Sequence, residues 1–238
     1  PIDPIVQFGR PGMSHLHQFF GNRSTDARTT PSLLRKREST TCVRDDELRG
    51  GVAPADSSAY WAPALYVGDT NVAPTELGAY YSAGPRRFKS IRPFPANLRM
   101  IAGDASGRTS PEINGQRAYL WRCGGETVEQ PAGYGVPTCA TPDLRLDISF
   151  PDCWDGRRVD SRDHKSHMAY SQKMGRAWEC PPSHPVLVPR LKLQIRYPTR
   201  GGPRVKLSAG PSRMAHADFM NGWDRGELRK LVRRCLNA

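Results

Sequence analysis

The chain has little of what recognisable sites are most often built from. Its six cysteines include no C-x-x-C pair, which excludes a zinc ribbon or a thioredoxin-type site. No H-E-x-x-H occurs, and neither does zinc-finger spacing, an RNP aromatic pattern or a helix-turn-helix with a basic recognition helix. A nucleic-acid partner is therefore not expected. No apolar run approaches the ~20 residues needed to cross a bilayer, and no signal-peptide pattern opens the sequence. If the protein is exported, these residues are expected to be its mature form. Hydrophobic residues supply only 37% of the 238. That is ample for one buried core but low for a packed helical bundle.

Glycine and proline, by contrast, are plentiful, 22 of each, and such a composition makes loops. Arginine dominates a net charge of +12. A basic surface attracts nucleic acid, anionic polysaccharide or anionic lipid, and also serves solubility. The even cysteine count, spread among loops, reads as three disulfides formed in an oxidising compartment. Six cysteines allow about fifteen pairings. The expected set is Cys123–Cys139 and Cys153–Cys180 as local staples, leaving Cys42–Cys235 to tie the two ends together.

Strand-like stretches recur between turn signals. "SAYWAPALYVG" (58–68) carries aromatics, while "RAYLWRC" (117–123) and "LRLDISF" (144–150) alternate apolar and polar residues, as half-buried strands do. "RLKLQIRY" (190–197) puts Leu191, Leu193, Ile195 and Tyr197 on one face and Arg190, Lys192, Gln194 and Arg196 on the other. "RVKLSAG" (204–210) is expected to pair with it. Only "DRGELRKLVRRCL" (224–236) reads as a helix, capped by Asp224 and with acidic residues ahead of basic ones. The polar, basic stretch at 24–40 is expected to be an exposed excursion. No low-complexity linker divides the chain. The expectation is one domain over 1–238, mainly β, a β-sandwich or jelly roll with long loops, closed by a C-terminal helix.

The polar chemistry is concentrated. All six histidines lie in four short phrases: "SHLHQFFGN" (14–22), "FPDCWDGRRVDSRDHKSHMAY" (150–170), "CPPSHPVLVP" (180–189) and "AHADFMNGW" (215–223). The first and last are near copies, although about two hundred residues apart. On an extended backbone His15 and His17 point the same way, and so do His216 and Asp218. His164 and His167 would share the face of a helical turn. If the two echoed phrases lie on neighbouring strands, these groups line one cavity, with the 152–170 loop as its lid. Phe19 or Phe20 and Phe219 would then be anchors, and Asn22 and Asn221 would shape the turns. Such groups make either a divalent-metal centre or an acid–base centre, so the cofactor is a divalent metal or none. The bland reading is a hydrogen-bond network that holds loops together, and His184, between prolines, is assigned to it. Trp121 and Trp178 are expected in the core. Trp61, Trp154 and Trp223 each adjoin a polar phrase, as platforms for sugar rings or as buried packing.

Taken in order, "DPIV", "SHLHQFFGN", "SSAYWAPALY", "PFPANLRMIAGD", "FPDCWDGRRVDSRDHKSHMAYS", "CPPSHPVLVPRL" and "HADFMNGWD" resemble the signature blocks of the DUF1996 family, over about residues 3 to 237. That family groups secreted proteins of fungi and actinobacteria, sometimes joined to carbohydrate-associated modules, and has no assigned activity. The resemblance implies an exported, extracellular, disulfide-bonded protein in a glycan context.

The leading expectation is a secreted enzyme that cleaves a polysaccharide, with an anionic one favoured by the basic charge. Hydrolysis would take two carboxylates from Asp155, Asp160, Asp163 and Asp218. Elimination would take His167 as base and Tyr170 as acid. His15, His17, His164 and His216 complete the candidate reacting groups, and Trp61, Trp154, Asn221 and Trp223 the candidate substrate contacts. The alternatives are a non-catalytic glycan-binding or structural protein of the cell surface, and a metal-dependent hydrolase or metal-binding protein. No sequence feature fixes an oligomeric state.

Overall fold

The computed structural model describes residues 1–37, 39–42, 55–84, 90–108, 112–125, 135–175 and 177–238. Eight strands among them make the frame: β1 (His17–Gly21), β2 (Ala59–Pro63), β3 (Glu76–Ser82), β4 (Arg99–Gly103), β5 (Tyr119–Cys123), β6 (Leu144–Ser149), β7 (Arg190–Tyr197) and β8 (His216–Met220). They form two antiparallel sheets, one ordered β1–β2–β8–β4 and the other β3–β7–β6–β5. Alternation along each strand decides which residues meet. Tyr60, Ala62, Met100, Ala102, Ala217 and Phe219 from the first sheet share one buried cluster with Trp121, Leu144, Leu146, Ile148, Leu191, Leu193 and Ile195 from the second. The molecule is thus a β-sandwich, and its inner faces are the main core.

The outer face of the first sheet is covered too. Ala59, Trp61 and Met220 pack with Ile5 and Leu34 in a second, smaller cluster, flanked by Phe19 and Ile101. Leu34 comes from a short helix, α1 (Pro31–Lys36), whose N-cap Thr30 accepts a bond from the Leu33 amide and whose first residue is proline, a favoured start. The stretch read as an exposed excursion therefore inserts one leucine, fully buried, beneath the sheet. The second helix, α2 (Arg225–Leu231), begins where expected, with Asp224 accepting from the Glu227 amide, and runs on as a wider turn over Val232–Leu236. No helix among the described residues is long and apolar enough to cross a membrane.

Several expectations are corrected. Residues 58–68 do not form one strand: they break at Ala64 into β2 and a short strand, Leu65–Val67. The Val205–Leu207 strand does not pair with β7. It pairs with Leu65–Val67 and Gly210–Pro211, because β7 is already flanked on both edges by β3 and β6. The disulfides Cys123–Cys139 and Cys153–Cys180 are formed, but Cys42–Cys235 is not. Both residues border one cleft of about 940 Å³, yet the last turn leaves Cys235 exposed while Cys42 is half-buried. Trp121 is in the core as expected, whereas Trp178 is only half-buried on a short hairpin strand, Ala177–Glu179.

Candidate functional site

The echoed phrases do meet, though not as nearest neighbours. Strand β2 lies between β1 and β8 and is antiparallel to both, so β1 and β8 run in the same direction and begin at the same end of the sheet. His17 pairs with Pro63. Counting back two residues from the Asp218–Trp61 pair puts His216 level with Pro63 as well. Two imidazoles from the flanking strands therefore reach towards each other across a proline, over roughly two strand spacings, about 10 Å. His15 enters from the residues leading into β1. One ring nitrogen from each of His15, His17 and His216 lies within 4.8 Å of the others, and the Nε2 atoms of His15 and His216 are 3.1 Å apart.

Close backbone approach makes room for this. Gly103 pairs with His216 at φ +78°, where a side chain would run into the Ala215 carbonyl and the His216 backbone. Only glycine combines that conformation with that proximity.

The proton positions follow from the partners. His17 Nδ1 is 2.9 Å from the Ile2 carbonyl, and His216 Nδ1 is 2.7 Å from the Met214 carbonyl. A carbonyl only accepts, so both Nδ1 atoms carry the hydrogen and donate it. In the neutral rings this leaves each Nε2 as a bare lone pair. The rings are held neutral. Burial, and then the neighbouring His17, brings His15 down to about 4; burial brings His216 down to about 3; burial also lowers His17.

Polar atoms without a partner concentrate here. His17 Nε2, Trp61 Nε1, Asp218 Oδ2 and Ser14 Oγ are all buried and unsatisfied. Such groups are rare in folded proteins and usually signal an absent water, ion or ligand. Asp218 is 1% exposed, and burial, reinforced by Asp3, raises its carboxyl well above the ordinary range. Asp3 also acts on His15 and His17, and its own Oδ1 holds the Ile5 and Val6 amides. Lys165 brings a cation to this end. Its ammonium donates to the Gly103 carbonyl at 2.6 Å and acts on both His216 and Asp218.

The other candidates lie elsewhere. Asp155 accepts from the Arg157 and Arg158 amides and the Arg158 guanidinium. Asp160 joins Arg99 and His164. Asp163 accepts from Ser161 Oγ and the Lys165 and Ser166 amides, which hold it below the usual carboxylate range. His167 is fully buried, with Nε2 donating to the Arg99 carbonyl and Nδ1 paired to Ser161. Tyr170 donates to the Ser149 carbonyl. These bonds tie the 152–170 loop to itself and to the frame, and only Lys165 reaches the histidines. His184 bridges Ser183 and the Ser166 carbonyl, a loop-holding role.

The tryptophans divide differently from the sugar-platform expectation. Trp61 is fully buried and stacks on Phe19 at 5.2 Å, so it offers no open face. Trp223 is 6% exposed and donates to Tyr81 Oη. Asn221 spans the Pro95 carbonyl and the Trp223 amide. Trp154 is half-buried and donates to the Arg158 carbonyl.

Sequence reasoning missed Asp3, Lys165 and the two orienting carbonyls. Asp3 had a faint signal, an Asp-Pro pair of the kind that opens a turn. Lys165 lay within the "DHKSH" phrase but was passed over for its histidines. A family model, the domain of unknown function DUF1996, matches residues 3–223. Nothing matches among curated proteins or among solved structures.

Proposed function

The chain belongs to the DUF1996 family, and from that premise we propose that it is a secreted metalloprotein whose His15, His17 and His216 hold one divalent transition metal for hydrolysis. The observation that carries this is the convergence of three neutral imidazoles, one ring nitrogen from each within 4.8 Å of the others, while backbone carbonyls fix two of the rings from behind. Metal-binding histidines are oriented in this way, with the second ring nitrogen donating to a carbonyl or carboxylate. Tetrahedral coordination at metal–nitrogen distances of 2.0–2.1 Å needs nitrogens ~3.3 Å apart. The His15–His216 separation of 3.1 Å, a hydrogen bond between the two rings, is close to one such edge.

Asp3 acts on His15, His17 and Asp218, and Lys165 acts on His216 and Asp218. A dication would give the orphaned His17 Nε2 its partner. Three neutral nitrogens suit zinc, copper, iron or nickel. When bound, such an ion supplies Lewis acidity and an acidified water. The chain's own part is to fix the ligands and to keep Asp218 beside them in a dry setting. The two disulfides support an oxidising compartment, and there the basic charge favours a polysaccharide as substrate.

Elemental analysis of protein purified without a histidine tag tests the core of the proposal. One equivalent of metal is expected, lost on chelation and absent from His17→Ala and His216→Ala. Release of reducing ends from a glycan panel, dependent on that metal, tests the substrate. A metal-loaded protein inert on every glycan would remove the substrate assignment and leave the metal centre standing.

A further inference from the structure

The outer face of the second sheet carries a charge pattern that the histidine centre does not use. Arg122 lies directly opposite Arg145, and Arg145 directly opposite Arg196. Three arginines on three adjacent strands thus form one cross-strand row. Directly opposed residues have Cβ atoms only ~4.5–5.5 Å apart, and like charges there are destabilising. Relief is partial. Asp147, one row along, takes Arg122 and Arg145 at 3.1 and 3.0 Å and Lys192 at 3.9 Å. Among the described residues Arg196 has Glu76, directly opposite it in the same row, and Asp143, both at 3.9 Å. Asp147 is itself buried at 6% exposure, so what the face presents outward is Arg122, Lys192 and Arg196 with Glu76 and Asp143.

An aromatic ring lies in the same field. Tyr80 pairs with Lys192, and the lysine Nζ is 6.0 Å from its ring centroid. The ring covers Gly78, where a side chain would collide with it. Tyr80 therefore lies along the sheet, and it is 52% exposed. A flat ring beside a row of guanidinium forks matches a ligand with apolar ring faces and regularly spaced anionic groups. A disulfide-bonded chain meets such polymers outside the cell as glycans more than as nucleic acid.

We propose that this face binds a polyanionic polysaccharide, a glycan chain bearing sulfate or carboxylate groups, with sugar rings on Tyr80 and the acidic groups on Arg122, Lys192 and Arg196. It is the outer surface of one sheet, whereas the histidine centre lies on the outer face of the other. Binding here therefore stands apart from the metal reading, and chelator-treated protein should keep it.

Calorimetry with heparin and with polygalacturonate tests the proposal, using neutral β-glucan and inorganic polyphosphate as comparators. The protein should bind at least one of the two acidic glycans and not the neutral one. Lys192→Gln/Arg196→Gln should weaken binding at least tenfold while leaving the melting temperature nearly unchanged, because the opposition of Arg196 to Arg145 is relieved as the long 3.9 Å ion pairs are lost. Tyr80→Ala should weaken glycan binding at least threefold and leave polyphosphate unaffected. The proposal is overturned if neither acidic glycan binds or if the double variant binds as wild type. It is equally overturned if polyphosphate binds as tightly as the glycans with no effect of Tyr80→Ala, the mark of charge alone.

Discussion

Removing the Cys153–Cys180 bridge should separate what holds the long loop from what builds the histidine centre. The bridge closes 27 residues of chain. The chain-entropy relation gives a stabilisation of about 3.5 kcal/mol for that loop, and about 3.1 kcal/mol for the 16-residue separation of Cys123–Cys139. For a domain of this size each kcal/mol moves the melting temperature by ~2–4 °C. Cys153→Ala/Cys180→Ala should therefore melt ~7–14 °C lower than wild type, with a urea midpoint reduced in proportion. Metal affinity should change by less than about threefold, because His15, His17 and His216 stand on or beside β1 and β8 rather than on the bridged loop. Calorimetric melting and metal titration of the same preparation give both numbers. A melting temperature within about 1 °C of wild type would refute the loop-closure reasoning. Loss of metal binding in a variant that still folds would refute the division between loop and centre.

Three further outcomes are expected. Leu34→Ala should cost ~2–5 kcal/mol in urea unfolding, as a fully buried leucine does; a change under ~0.5 kcal/mol would place residues 24–37 on the surface after all. Metal-free protein should lose stability on acidification. His15 and His216 are held near 4 and 3 when folded, so the unfolded chain takes up their protons first as pH falls below ~6.5, and unfolding is favoured from there down to those values; a urea midpoint flat from pH 7 to 4 would contradict this. Asp218 has the opposite sign, because its raised carboxyl loses stability as pH rises. Asp218→Asn should therefore unfold at higher urea than wild type at pH 8, and an equal or lower midpoint would show that the carboxyl is not strained by burial.

How far the sequence revealed this molecule depends on which interaction decided each part. The strict alternation of 190–197 is local information, and β7 occupies those residues. Asp224 caps the last helix through its own next turn, which is equally local. The partner of Val205–Leu207 was misread because pairing depends on which edges remain free, and both edges of β7 were taken by strands far away in sequence. The histidines were legible as an echo and as period-two pairs. Their convergence needed β2 between them, with Pro63 level with both imidazoles, and that is a fact of three-strand register. Leu34 was hidden because a single apolar residue in a polar stretch carries no periodicity. The density of acidic and histidine side chains at 152–170 suggested chemistry, but most of them close their own loop.

X-ray absorption on protein loaded with one equivalent of zinc tests the metal centre most directly. A first shell of three imidazole nitrogens at ~2.0–2.1 Å is expected, with the remaining position filled by solvent oxygen. The same measurement on His15→Ala/His17→Ala/His216→Ala should find no such site. A shell of oxygens alone, or an imidazole shell that survives the triple substitution, would contradict the assignment of this centre to His15, His17 and His216.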